Sequence, residues 1–423
     1  MTGKRTFRVL FVLFLVVVTG CSTGSDVVQN STNTHQASVD EIYAIYDRIF
    51  LQYLDEVTQD MGKEVIRVEP ISDRFTIPKK ITISGTPYEI GKTIGRIADL
   101  YNLAPPGLSS ENENLNIGYI SMYEKLYPQY LELLRGIGTA FGLNVDEMDL
   151  AFMEFKFFED LWGGLLRYSD FFNLTDFSRY GDIGPSHNCS VTSYNAGGNH
   201  LVGRNFDNSS ERPHYFADTK MEGCYRSMGN VIYFLYHWVV DGINEKGLSI
   251  NVASNGGDYQ LKEPYLGVPA VFSGHMARIV MDTCGTVDEA LDKIGSVRIW
   301  FPNEGIHWLI ADASGRSVIV EFDHSKKMVV FNRSGPYELI TNTALQHGDE
   351  YVLQNCWRFS GLKPILEQGI SNMTEMRNMM ETARFTEYDV RTLWTSIMDL
   401  NNLSFEISYL KEYDRIYRFS FYD

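Results

Sequence analysis

The sequence predicts an α+β chain with helices first and strands afterwards, and three observations predict it. From about Val39 to Gly184 the apolar residues recur mostly at helical spacing. After Cys189 the texture changes to short β-rich runs divided by turn residues. The 423 residues are 44% hydrophobic and 22% charged, enough apolar side chain for a sizeable core, which excludes a disordered or fibrous chain.

The elements follow in order. Lys4, Arg5 and Arg8 precede a continuous apolar run from Val9 to Val18. That run is shorter than the ~20 residues a spanning helix needs, so residues 1–20 read as a signal peptide. It ends in Val18-Thr19-Gly20-Cys21, which resembles the lipobox of prokaryotic lipoproteins. The expectation is that Cys21 carries lipid and anchors an extracytoplasmic protein to a membrane. Residues 21–38 are rich in Ser, Thr, Asn and Gly and read as a flexible tether. In residues 39–188, Ser121 to Gly142 reads as one long helix, and Asn144-Val-Asp-Glu147 reads as a capping box that starts another. In residues 189–423, β runs cover Val231 to Val240 and Leu248 to Ala253, with Asn244 to Gly247 as the turn between them. His307 to Ala311, Ser317 to Phe322 and Met328 to Phe331 then have the rhythm of an antiparallel meander. Helices are expected near Gly274 to Asp282, Val287 to Ile294 and Trp357 to Gln368.

Charge and cysteine usage narrow the function. Lys plus Arg is 37 against 54 Asp plus Glu, and the net charge of -17 repels polyanions, so nucleic acid is excluded as a partner. Setting Cys21 aside, the remaining four of the five cysteines are Cys189, Cys224, Cys284 and Cys356, spaced too widely for a zinc ribbon or a CxxC redox pair. Cys224, Cys284 and Cys356 read as small buried hydrophobes, with a disulfide between two of them left open. Cys189 stands apart, in the polar, small-residue run Asn188-Cys-Ser-Val-Thr-Ser193 at the change of texture. Arg204 follows fifteen residues on, in Gly203-Arg-Asn-Phe-Asp207. In a regular strand Arg204 and Asp207 point to opposite faces, so they converge only across a bend or bulge.

Taken together, Cys189 and Gly203-Arg-Asn-Phe-Asp207 resemble the N-terminal nucleophile hydrolases that cleave linear amide C–N bonds: choloylglycine hydrolases, penicillin V acylases and penicillin acyltransferases. The resemblance continues at Asp241-Gly-Ile-Asn-Glu-Lys-Gly-Leu248, His307 to Asp312, Thr341-Asn342, Arg358-Phe359 and Trp394-Thr-Ser396. Pro87-Tyr-Glu-Ile-Gly-Lys-Thr-Ile-Gly95 and Leu134-Arg-Gly-Ile-Gly-Thr-Ala-Phe-Gly142 resemble the helical pro-region of the acyltransferase branch. The resemblance implies a four-layer αββα sandwich of two antiparallel sheets, preceded by a mostly helical pro-segment. It also implies self-cleavage between Asn188 and Cys189, after which the new α-amino group, titrating near pH ~8, is the base for the Cys189 thiol. Arg204 would lower the thiol pKa, Asp207 would hold the amine, Asn342 would donate to the oxyanion and Arg358 would complete the polar cluster. A second oxyanion donor is expected at Asn255, reached by a one-residue gap because the ungapped position is Ser254, with Asn251 as runner-up.

The expected activity is hydrolysis of a small-molecule N-acyl amide, with no metal or cofactor needed. Acyl transfer from acyl-coenzyme A is the alternative, disfavoured because that donor is cytosolic. A peptidase acting on peptides, and a ligand-binding lipoprotein on the same scaffold, stay open. His187, beside the nucleophile in sequence, has poor freedom to face its thiol, and His307 with Trp308 reads as a strand entry lining the core or the pocket.

Overall fold

A computed structural model describes residues 51–71, 79–100, 103, 107, 112–154, 156–158, 161, 189–195, 197–208, 214–232, 237–255, 267–301, 305–323, 325–332, 335–385, 390–410 and 412–422. The leader, Cys21, the tether, His187 and Asn188 lie outside the described residues. Among the described residues no helix is long and apolar enough to cross a membrane.

The N-terminal segment gives β1 (Ile66–Pro70), β2 (Lys79–Gly85), α1 (Pro87–Leu100), α2 (Glu113–Leu126), α3 (Pro128–Phe141) and the short α4 (Leu150–Glu154). Beyond it come β3 (Ser190–Asn195), β4 (His200–Asn208), β5 (His214–Met221), β6 (Ser227–Ile232), β7 (Val239–Asn244), β8 (Ser249–Ser254) and β9 (Val271–Phe272). Next are α5 (Ser273–Thr283), α6 (Val287–Gly295), β10 (Ile299–Trp300), β11 (Ile306–Ala311), β12 (Ser317–Phe322), β13 (Met328–Phe331) and β14 (Tyr337–Ile340). The chain closes with α7 (Asp349–Asn355), α8 (Trp357–Gln368), α9 (Met373–Glu381), β15 (Arg391–Asp399), β16 (Ser404–Tyr409) and β17 (Tyr417–Ser420).

Two large sheets result, one in the order β1-β2-β5-β6-β7-β8-β11-β12-β13 and one in the order β14-β3-β4-β15-β16-β17. All pairings in them are antiparallel except β2 with β5. Alternation along the central strands explains the layering, because successive side chains leave opposite faces of a sheet. In β11, Trp308 and Ile310 join the core beneath the N-terminal helices, whereas Leu309 and Ala311 join the core shared with the second sheet. In β12, Val318 and Val320 divide from Ile319 in the same way. Both faces are therefore covered, and the strands read as near-continuous apolar runs. Helix α5 lies on β7 and β8, and α9 lies on β4 and β15 of the other sheet, which completes the αββα sandwich.

The structure differs from the sequence reading in two places and adds to it in two more. The stretch from Ser121 to Gly142 is two helices, because Pro128 lacks the N–H that a continuous helix would need and instead opens α3 as its first residue. Asn144 and Glu147 do form the capping box, yet they close a single 3₁₀ turn, Val145–Glu147. The N-terminal segment is not only helical, since β1 and β2 extend the large sheet, with Ile81 and Ile83 fully buried. No disulfide forms among the described residues: Cys189, Cys224, Cys284 and Cys356 are free thiols.

The two glycine-rich runs of this segment are a helix contact. A Cβ on Gly91 would meet the Leu133 carbonyl oxygen at 1.8 Å, and one on Gly136 would meet the Tyr88 carbonyl oxygen at 2.1 Å. Both sites are helical, so the glycines serve close backbone approach rather than unusual torsion. Gly136→Val is expected to force α1 and α3 apart and cost about 3 kcal/mol or more. Urea unfolding checks this, and an unchanged midpoint would show that the contact carries no weight.

Candidate active site

Cys189 immediately precedes β3 and is only 2% exposed. Strand β4 runs antiparallel beside β3, pairing Ser190 with Asn205 and Val191 with Arg204, so the two sequence motifs meet as neighbouring strands. Arg204 Nη2 donates to Cys189 Sγ at 3.4 Å. Its Nη1 donates to the Val240 carbonyl, and its Nε lies 3.5 Å from Asp241 Oδ2 in the facing sheet. The guanidinium is thus fixed from both sheets against the thiol.

Asp207 lies three residues further along β4. Its Oδ1 accepts from Thr392 Oγ1 at 2.5 Å, and its Oδ2 is 3.6 Å from Arg358 Nη1. Arg204 and Asp207 both lie beside the cysteine, and the strand next to theirs carries a bulge, where the β4–β15 register shifts between Thr392 and Trp394. Arg358, near the start of α8, donates from Nη1 to the Cys189 carbonyl and to Ser190 Oγ, and from Nη2 to Asn342 Oδ1 at 2.9 Å. Asn342 Nδ2 in turn donates to the Ser254 carbonyl at 2.8 Å, at the end of β8. Asn255 follows, 1% exposed, its backbone N–H on the Gly305 carbonyl and its side-chain amide without a hydrogen-bond partner among the described residues. Asn251 faces the space between the sheets and donates to Ser249 Oγ at 2.8 Å. Cys189, Arg204, Asp207, Asn342 and Arg358 are therefore one connected network, with Asn255 adjoining it.

Burial governs the titrations. It pushes the Cys189 thiol above its ordinary value, while the Arg204 guanidinium draws it back down. Burial also pushes the Asp207 carboxyl up to about 7, against the pull of Arg358, the Thr392 hydroxyl and Arg204.

Several supporting residues carry no role in the sequence reading. Asp241 binds Arg204 and also accepts from Trp394 Nε1 at 2.8 Å and Ser396 Oγ at 3.1 Å, while Thr395 Oγ1 donates to Asn205 Oδ1. The Trp394-Thr-Ser396 run is therefore a support for β4 and its arginine. His307 belongs to the core: it bridges Glu321 Oε1 at 2.9 Å and the Thr341 carbonyl at 2.6 Å, which holds the backbone beside Asn342. Glu321 is silent in the sequence because its partners come from separate elements. Asp241 has a signal, since it opens one of the recognised motifs.

The site is thus a buried cysteine heading an inner strand of an αββα sandwich, beside an arginine and a carboxylate. Residues 189–379 match the family model of linear amide C–N hydrolases, choloylglycine hydrolase family. Among solved structures, the chain is similar to a mutant conjugated bile acid hydrolase from Clostridium perfringens, at 18% identity and a TM-score of 0.44 over 56% of this chain and 92% of that one. It is also similar to penicillin V acylase from Agrobacterium tumefaciens, at 17% identity and a TM-score of 0.43 over 56% of this chain and 87% of that one. No curated protein sequence matches the chain.

Proposed function

We propose that the protein is a cysteine hydrolase of linear N-acyl amides, matured by cleavage of its own Asn188–Cys189 peptide bond. The observation that carries this reading is Arg204 Nη2 at 3.4 Å from a buried thiol at the head of β3. In maturation, Cys189 Sγ attacks the Asn188 carbonyl carbon. The Cys189 nitrogen leaves as an amine and takes the proton, and water then hydrolyses the thioester to free the thiol. In turnover the same thiol attacks the substrate carbonyl, the α-amine passes its proton to the leaving amine, and water clears the acyl-enzyme. Asp207 Oδ2, which makes no hydrogen bond among the described residues, is suited to receive the new ammonium. Asn342 keeps one amide N–H beyond its bond to Ser254, and the unpartnered Asn255 amide supports that residue over Asn251 as the second donor to the oxyanion. We place the enzyme outside the cytoplasm, held to a membrane by lipid on Cys21, because of the charged, apolar and Cys21 pattern of the leader.

Intact mass and N-terminal sequencing of the purified protein test the maturation step. The expected result is a fragment beginning Cys-Ser-Val-Thr-Ser, and a single unbroken chain overturns it. Cleavage is also expected to depend on pH in a stated direction. Burial holds the thiol above its ordinary value, so the thiolate is the minor form near neutrality. Its fraction, and with it the cleavage rate of freshly folded precursor, should rise about tenfold per pH unit between about pH 6 and 8. A time course by gel electrophoresis reads this, and a flat profile would remove the thiolate from the first step.

A further inference from the structure

We propose that Glu154, His237 and His275 form a buried zinc site that clamps the N-terminal helical segment to the strand-rich part of the molecule. None of the three takes part in the hydrogen bonds around Cys189, and the inference is independent of the reaction assigned to that residue. Glu154 ends α4, His237 precedes β7 and His275 lies in the first turn of α5, so the cluster joins elements 83 and 121 residues apart. One ligand atom from each side chain lies within 4.8 Å of the other two. A tetrahedral ion with bonds of ~2.0–2.1 Å sets its ligand atoms about 3.4 Å apart, so small rotations bring the three side chains to bonding distance and leave the fourth position to a water.

The hydrogen bonds assign the free lone pairs. His237 Nε2 lies 2.8 Å from the Glu154 carbonyl oxygen, which can only accept, so Nε2 carries the proton and Nδ1 is the bare nitrogen. His275 Nδ1 lies 3.2 Å and 3.3 Å from the two Glu154 carboxylate oxygens. The remaining nitrogens, His237 Nδ1 and His275 Nε2, have no hydrogen-bond partner among the described residues although both rings are fully or almost fully buried. A bare His237 Nδ1 in so dry a place is costly unless something binds it, and His275 can offer an ion its Nδ1, which faces the Glu154 carboxylate, with the ring proton moved to Nε2. A metal-binding histidine commonly donates its other ring nitrogen to a carbonyl or carboxylate, which is what His237 does here.

The surroundings favour a structural ion over a catalytic one. The two imidazoles stack with centroids 4.0 Å apart, Phe158 covers His237 at 4.1 Å and Tyr130 covers His275 at 4.3 Å. The nitrogen and carboxylate set suits zinc better than magnesium or calcium, which prefer oxygen.

The test uses the full chain produced in zinc-supplemented medium. Elemental analysis should find about one zinc per chain, and a chelator should lower the melting temperature by roughly 5 °C, restored by one equivalent of Zn²⁺. The His237→Gln, His275→Gln double variant should retain below about a tenth of an equivalent. If that variant does not fold, the wild-type chain decides alone: less than about a tenth of an equivalent with no melting shift on adding Zn²⁺ overturns the site. A folded double variant that still holds one equivalent overturns it too, because the ion then sits elsewhere.

Discussion

Replacing Cys189 by alanine should leave a single unbroken chain with no measurable amide hydrolysis. Both losses follow from one atom. Sγ is the group of the network that can attack a carbonyl, and without it neither the Asn188 peptide nor a substrate forms a thioester. The fold should survive, because a buried cysteine replaced by alanine removes one sulfur from a packed site, at a cost of about 1–2 kcal/mol. Denaturing gel electrophoresis and turnover of a panel of N-acyl amides read the two effects separately. Cleavage that persists in Cys189→Ala would assign the cut to another nucleophile or to a separate protease, and would leave the hydrolytic reading to stand on turnover alone.

The second large effect is expected at Asn342. In Asn342→Ala the amide that accepts from Arg358 and donates to Ser254 is gone, and with it the N–H proposed for the oxyanion. An oxyanion donor acts where charge develops, so kcat should fall by about 10²–10³ with KM little changed. A rise in KM at constant kcat would make Asn342 a substrate-binding residue. Near-normal kinetics would make it only the tie between Arg358 and β8. Asn342→Asp is a useful companion, because it keeps the acceptor for Arg358 and removes the donor.

How much of this was legible in the sequence depends on how local each signal is. The meander β11-β12-β13 could be read because Ser314-Gly315 and Asp323 to Lys327 punctuate its strands, and neighbouring strands then pair without long loops. The nearness of Cys189 to Arg204 is a local signal of the same kind, because Cys189 heads β3 and Arg204 lies in β4, its antiparallel neighbour. Strands β1 and β2 were not, since β2 finds its partner β5 more than a hundred residues on, and a short alternating run such as Ile81-Thr-Ile83 carries little periodic signal by itself. Pro128 does carry a signal, since its missing N–H ends one helix and lets the next begin. The bulge between Thr392 and Trp394 could not be placed, because the strand that bears it is nearly two hundred residues from the motif it lies beside. Distance in the chain also hid the His307 bridge, whose role is visible only when Glu321 and Thr341 arrive beside it.

The parallel contact of β2 with β5 bears on how the molecule can be handled. A polypeptide starting at Cys189 would begin its larger sheet at β5, an eight-residue strand whose outward N–H and C=O groups would have nothing to pair with. Such an open edge recruits strands from other molecules, so residues 189–423 expressed alone should aggregate rather than fold. A cut at Cys189 would therefore divide the backbone without making either piece an independent folding unit, and preparations have to start from the undivided gene.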